Sequence, residues 1–204
     1  MQVMKLASTV GVPDMDRVVH SVDTGALMEE IARLRGQVAQ LESRVEQLDV
    51  EAHRDALVPV ANRRGLLRHL DLLIARCNRH HTPAALLFVD VDGLKALNDS
   101  FGHSAGDAAL VFLAQLMVEG VRQTDLVARI GGDEFAILLD HADEASAMQT
   151  ADRLVNSVAG SDFAFRDQRL PLSVAIGITG IEPGDTAEAV LERADQEMYR
   201  EKAA

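Results

Sequence analysis

Leu27, Ile31, Leu34, Val38, Leu41, Val45 and Leu48 recur at alternating intervals of four and three residues. That seven-residue repeat lines apolar side chains along one seam of a helix, which either packs on its own domain or meets a second helix. Ile31, Val38 and Val45 fall at position a, and the four leucines at d. β-Branched residues at a with leucine at d favour a parallel two-stranded coiled coil. The flanks agree: Glu30 at g faces Arg35 at e of a partner helix, and Arg44 at g faces Asp49 at e. The strict repeat and matched flanks favour the paired helix. Three heptads are marginal in isolation, so the rest of the chain or a ligand must help hold the pair. The repeat fails after Leu48, where the next a and d would be Ala52 and Asp55, and Pro59 then blocks helix continuation. The expected organisation is a leader over 1–23, a dimeric helix over 24–54 and a domain over 55–204. The leader has mixed composition and little periodicity, and reads as flexible or as a segment for a protein partner within residues 1–25.

The domain alternates helical and extended patterns. Residues 62–80 read as a helix through Leu66, Leu67, Leu70, Leu73 and Ile74, and Ala84–Val91 reads as a buried strand. A helix over 105–120, a hairpin over 126–139, a helix over 143–158 and a strand at Leu172–Thr179 follow, the strand after a turn at Arg166-Asp167-Gln168. Asp185 and Glu188 have capping-box spacing and open a last helix reaching about Lys202. The fold class is α/β: a mixed, largely antiparallel sheet flanked by helices. With 3% aromatics and no Trp, the core must be built from Leu, Val, Ile and Ala.

A net charge of −12 argues against a nucleic-acid binder, because phosphate contacts need clustered Lys and Arg. A single nucleotide remains open to such a chain if a metal and a few local cations offset its phosphates. Cys77 is the single cysteine, which excludes an intrachain disulfide and a cysteine metal cluster and suits a small buried apolar role. No apolar run reaches the roughly 18 residues of a membrane helix, and residues 1–25 lack a signal-peptide core, so the expected location is the cytoplasm.

Two apolar runs, Leu126–Ile130 and Phe135–Leu139, are joined by Gly131-Gly132-Asp133-Glu134. The glycines suit a tight turn, and two adjacent carboxylates at its tip suit either a metal or phosphate site or a solvated turn. Asp90-Val91-Asp92 ends the first strand, a good place for a metal-ligating aspartate. Asp92 alone reads as a solvated or ion-paired residue. The stretch Lys95 to Asp107 is polar and glycine-bearing and leads into a helix, whose N-terminus favours anions. Asn98 and Asp107 offer an amide and a carboxylate that could read a purine edge. His103 suits a capping or structural role as well as a ligand contact.

Taken together, Asp90-x-Asp92-x-x-Lys95-x-x-Asn98-Asp99-x-x-Gly102-His103-x-x-Gly106-Asp107 and Arg129-x-Gly131-Gly132-Asp133-Glu134-Phe135 closely resemble the GGDEF-domain diguanylate cyclases. The resemblance extends from about Asp55 to Lys202, and includes Asn62-Arg63-Arg64, Ser173–Gly177 and Ala194-Asp195…Met198-Tyr199…Lys202. It implies condensation of two GTP to cyclic di-GMP and two pyrophosphates. By that resemblance Asp90, the Val91 carbonyl, Asp133 and Glu134 would hold Mg²⁺ or Mn²⁺. Asp133 would also lie near the ribose 3′-hydroxyl as a candidate base. Asn98 and Asp107 would bind guanine, with Leu94 and Leu110 lining the base pocket. Lys95 and Lys202 would meet the β- and γ-phosphates, and His103 would contact substrate. One domain binds one GTP, so two domains must face each other, and the coiled coil raises the effective concentration of one half-site near the other.

Arg122-Gln-Thr-Asp125 stands five residues before the hairpin glycines. A local surface ion pair would explain it, worth about 0–1 kcal/mol. The resemblance instead makes it the RxxD inhibitory motif that grips the product, with Arg153 as a further contact and Arg76 as the arginine a neighbouring domain lends. Arginine suits that task because its planar fork binds guanine or phosphate bidentately. The chain departs from the family at Val58-Pro59-Val60-Ala61, where Thr-Gly-Leu-Pro is usual, and at Leu94 in place of a common Phe. It stops two residues past Lys202, without the family's Gly-Arg-Asn. The alternative readings are a catalytically weak cyclic di-GMP receptor and a coiled-coil adaptor.

Overall fold

The computed structural model describes residues 24–203. The expected leader over 1–23 lies outside them. The chain divides after Gln47 into two units. Helix α1 (Thr24–Ala52) carries the heptads, and its a and d side chains stay exposed, from 36% at Ile31 to 65% at Leu41. Among the charged flanks, Glu30 bonds Arg33 one turn on, at 2.7 and 2.6 Å. Asp49 pairs with Arg68 at 2.7 Å.

Beyond α1 the elements run β1 (Ala61–Asn62), α2 (Arg63–His80), β2 (Ala84–Val91), α3 (Leu94–Phe101), α4 (His103–Glu119), β3 (Leu126–Arg129) and β4 (Glu134–Asp140). Then come α5 (Glu144–Ala159), β5 (Ala164–Phe165), β6 (Gln168–Arg169), β7 (Val174–Gly180) and α6 (Ala187–Ala203). The main sheet has the order β1-β3-β4-β2-β7. Only β1 and β3 are parallel; the other three pairings are antiparallel. This is the mixed, largely antiparallel α/β sheet expected from the sequence.

The central strand β2 explains the layering. Its run of apolar residues is buried on both faces, as an inner strand covered by helices must be. Ala85, Leu87, Val89 and Val91 share one core with Leu110, Leu113 and Met117 of α4 and Leu154 and Val158 of α5. Ala84, Leu86 and Phe88 point the other way, into a core with Leu66, Leu70 and Cys77 of α2 and Val190 and Met198 of α6. Period-two alternation along one strand thus serves two helical layers.

Two expectations need correction. The polar, glycine-bearing stretch from Lys95 does not only lead into a helix: its first part is a helix of its own, α3, broken from α4 at Gly102 (φ 85°). Leu94, Leu97 and Phe101 fall on one face and pack on the first core, which outweighs the polar composition. The last helix is capped by Thr186, whose hydroxyl accepts from the Ala189 N–H at 3.3 Å. Asp185 instead accepts from the Glu182 N–H at 2.8 Å and pairs with Arg193 at 2.7 Å.

β7 and α6 meet at Gly177. A Cβ there would lie 2.3 Å from the Met198 nitrogen and 2.4 Å from the Ala194 carbonyl oxygen, both backbone atoms. Gly177→Ala must push α6 off the sheet. It is expected to cost about 2 kcal/mol in urea unfolding, the usual scale of overpacking. An unchanged unfolding midpoint would show that this approach is not a constraint.

Candidate active site

The site collects at one end of the sheet because of strand register. Asp90, near the end of β2, lies directly opposite Glu134 at the start of β4. The Val91 N–H donates to the Asp133 carbonyl at 3.0 Å, carrying the pairing into the hairpin tip. At the same end the Asp92 N–H donates to the Ser173 carbonyl at 3.0 Å, and the Ser173 hydroxyl donates to the Asp92 carboxylate at 2.8 Å. The last turn of α6 brings Lys202 onto the Asp90 carboxylate, with Asp92 at 3.7 Å. Asp90, Asp133, Glu134 and Lys202 therefore come together from three elements 112 residues apart in sequence.

The two tip carboxylates are less exposed than the sequence suggested. Gly132 is exposed, but Asp133 and Glu134 are half-buried, where the tip runs on alongside the end of β2. Burial pushes the Glu134 carboxyl above its ordinary value, and the neighbouring charges of Asp133, Asp90 and Asp195 push it the same way, with Arg63 opposing. Asp195 and Arg63 are members of this electrostatic group that motif spacing did not assign. Among the described residues no three His, Cys, Asp or Glu side chains converge on one ion-binding point. An all-oxygen set of crowded carboxylates still fits a hard cation, provided phosphate oxygens and water complete the shell, as is usual for Mg²⁺.

Helix α3 begins two residues after Asp92 and packs on α4. Asn98 lies against Gly106, where an added Cβ would sit 2.2 Å from the Asn98 Oδ1. That oxygen is buried and has no hydrogen-bond partner. A buried acceptor without a partner costs stability unless a ligand supplies the donor. Asp107 follows Gly106 and is exposed, as are Lys95 and His103; Leu94 and Leu110 are core residues at 8% and 3% exposure. The start of α4 has no side-chain cap, so His103 does not act as one.

A small cavity of about 120 Å³ on the other end of β4 brings Arg122, Asp125, Asp140 and Arg153 together. The Asp125 carboxylate accepts from the Arg122 N–H at 2.9 Å and from the Asp140 N–H at 3.2 Å. Arg153 donates to the Gly120 carbonyl at 2.7 Å. Arg76 is not free: it is ion-paired with Asp140 of its own chain.

The hairpin is tied to the segment that follows α1. Arg129 donates to the Gly132 carbonyl at 2.8 Å and pairs with Asp55 at 3.3 Å. Asp55 also accepts from the N–H groups of Leu57 and Val58 at 2.9 and 3.0 Å. Asn62 caps α2 through the Gly65 N–H at 2.9 Å and donates to the carbonyls of Ala52 and Arg54 at 2.9 and 3.0 Å. Arg129 and Asn62 belong to the family-like motifs, whose spacing shows neither of these contacts. A charged residue inside a short apolar strand was the available signal.

Comparison with known proteins shows the family. The family described as diguanylate cyclase, GGDEF domain matches residues 52–204. The chain is 36% identical over 179 residues to the diguanylate cyclase DgcP of Pseudomonas aeruginosa, covering 88% of this chain and 27% of that protein. It is 37% identical over 152 residues to the response regulator PleD of Caulobacter vibrioides, covering 73% and 34%. The chain thus spans well under half the length of these curated relatives. Among solved structures, the coiled coil and GGDEF domain of DgcB from Caulobacter crescentus, in complex with c-di-GMP, matches at a TM-score of 0.80 with 26% identity, covering 87% of this chain and 95% of that one. Diguanylate cyclase SiaD from Pseudomonas aeruginosa, in complex with its activator SiaC, matches at 0.73 with 30% identity, covering 88% and 70%.

The crowding at Glu134 has a measurable sign. A carboxyl whose folded value is raised destabilises the fold once it ionises, so the penalty grows as pH rises above the ordinary value of about 4.5. Glu134→Gln is expected to raise Tm at pH 7, and the gain should vanish below about pH 4. A lower Tm at pH 7 would contradict the like-charge account.

Proposed function

The chain belongs to the family of diguanylate cyclases with a GGDEF domain, and on that premise we propose that it condenses two GTP into cyclic di-GMP and two pyrophosphates. The observation that carries this reading is the register of β2 and β4, which sets Asp90 opposite Glu134 with Asp133 and Lys202 beside them. The partnerless Asn98 oxygen on α3 adds a base-reading group.

In each half-reaction the 3′-oxygen of one GTP forms a bond to the α-phosphorus of the other. The bond from that phosphorus to the bridging oxygen breaks, and pyrophosphate leaves. Repeating the step in the opposite sense closes the ring. Mg²⁺ or Mn²⁺ held by Asp90, the Val91 carbonyl, Asp133 and Glu134 would lower the proton affinity of the hydroxyl and neutralise the departing pyrophosphate. Asp133 accepts the hydroxyl proton. Asn98 and Asp107 hold the guanine edge, over Leu94 and Leu110. Lys95 and Lys202 meet the outer phosphates, with Lys202 exchanging its Asp90 partner for phosphate oxygens, and His103 contacts substrate from the start of α4. Little more is needed than alignment and charge neutralisation.

One domain carries one such half-site, so the reaction runs between two facing domains. The exposed seam of α1 supports a homodimer through a parallel coiled coil. Arg122, Asp125 and Arg153, with Arg76, form the site through which product inhibits. The likeness to SiaD, which was solved with its activator, supports a protein partner as the input, with residues 1–25 as its contact. A receptor that binds cyclic di-GMP without turnover would have no use for Asp90, Asp133 and Glu134, which favours the cyclase.

Full-length protein incubated with GTP and Mg²⁺ is expected to release cyclic di-GMP. Asp133→Ala should lower the rate by at least about 100-fold with the circular dichroism melt preserved, the scale on which removing one transition-state contact acts. No product from the wild type at high protein concentration, beside an active control cyclase, would sink the proposal.

A further inference from the structure

Asp140 stands at the junction of two features that the proposed product site needs apart. Its backbone N–H fastens one oxygen of Asp125, and its side chain, 12% exposed, lines the same cavity as Arg122, Asp125 and Arg153. That side chain is also ion-paired with Arg76, which projects from α2, 64 residues earlier in sequence. The exposed His141 imidazole lies 3.0 Å from the other Asp140 oxygen.

The charges decide what this arrangement does. Around the cavity, Arg122 and Arg153 supply two positive charges, and Asp125 and Asp140 supply two negative ones. A cyclic dinucleotide brings two phosphate charges to a surface whose own sum is zero. Asp125 is held in place by two backbone N–H groups, those of Arg122 and Asp140. The Asp140 carboxylate repels phosphate and occupies Arg76, the α2 guanidinium that the proposed product site draws on.

We propose that Asp140 is an internal competitor for product: a carboxylate that holds Arg76 and must surrender it before cyclic di-GMP binds tightly. This rests on the reading of Arg122 and Asp125 as the product site. The two effects of Asp140, withholding Arg76 and repelling phosphate, have the same sign. The chain therefore sets its inhibition threshold at a higher product concentration than the two flanking arginines alone would give.

The test is calorimetric titration of cyclic di-GMP into the full-length protein and its Asp140→Asn, Arg76→Ala and doubly substituted forms, with thermal melts as a check on folding. Asp140→Asn keeps the size and the backbone N–H while removing the charge. It is expected to tighten binding about tenfold, and by clearly less in the Arg76→Ala background, since part of the gain is released Arg76. The same or weaker affinity in Asp140→Asn, with binding still lost in Arg122→Ala, would overturn the competitor role alone. Affinity indifferent to Arg122→Ala would overturn the product-site reading and the competitor with it.

Discussion

Arg129 holds together two parts of the chain on which the candidate active site depends. Its guanidinium reaches the carbonyl of Gly132 at the hairpin tip and the carboxylate of Asp55, just beyond α1. Both charged side chains are largely buried, at 14% and 20% exposure. A pair in that position adds little net stability over an apolar one, but removing either partner strands the other. Its value is geometric. With the tip carbonyl held, the Asp133 carbonyl can accept from Val91, and the β2–β4 register then sets Asp90 against Glu134. The same guanidinium makes the turn after α1 and the hairpin tip parts of one hydrogen-bonded unit, which Asn62 extends to the end of α1 and the start of α2.

That geometry is electrostatically unfavourable by itself. Asp90, Asp133, Glu134 and Asp195 crowd one end of the sheet, and Lys202 and Arg63 are the cations that answer them. A protein that is acidic overall, at −12, offers no diffuse attraction to nucleotides. On the proposed cyclase reading, affinity for a triphosphate would come from a divalent cation and a few placed groups. The crowding that costs stability in the free protein is what a cation bound there would relieve. At the Arg122 cavity the logic is reversed: cations are present, and Asp140 cancels part of their effect.

Much of this was legible in the sequence, for local reasons. The heptad spacing, the two-faced apolar run of β2 and the glycine-tipped hairpin each follow from a period or a turn rule that acts over a few residues. Burial patterns that depend on tertiary packing were harder. Lys95–Phe101 reads as a polar stretch without a helical signal of its own, because only three apolar residues, Leu94, Leu97 and Phe101, hold that helix to the core. Thr186 took the cap because Arg193 claimed Asp185. Asp133, on a glycine turn, reads as exposed, since nothing local shows that the end of β2 flanks the tip. Contacts such as Arg129–Asp55 and Arg76–Asp140 span 74 and 64 residues and carry no periodic signal at all.

The central claim is that the carboxylate hairpin is half of an active site and that the heptad helix supplies the other half. The direct measurement is cyclase activity per chain as a function of protein concentration, for the wild type and for Leu34→Asp/Leu41→Asp, which puts charge into the seam. The account predicts a wild-type value that is flat over the micromolar range, and a variant value that rises in proportion to concentration. Two flat and equal curves would contradict it, because a complete site on each chain would not notice its neighbours.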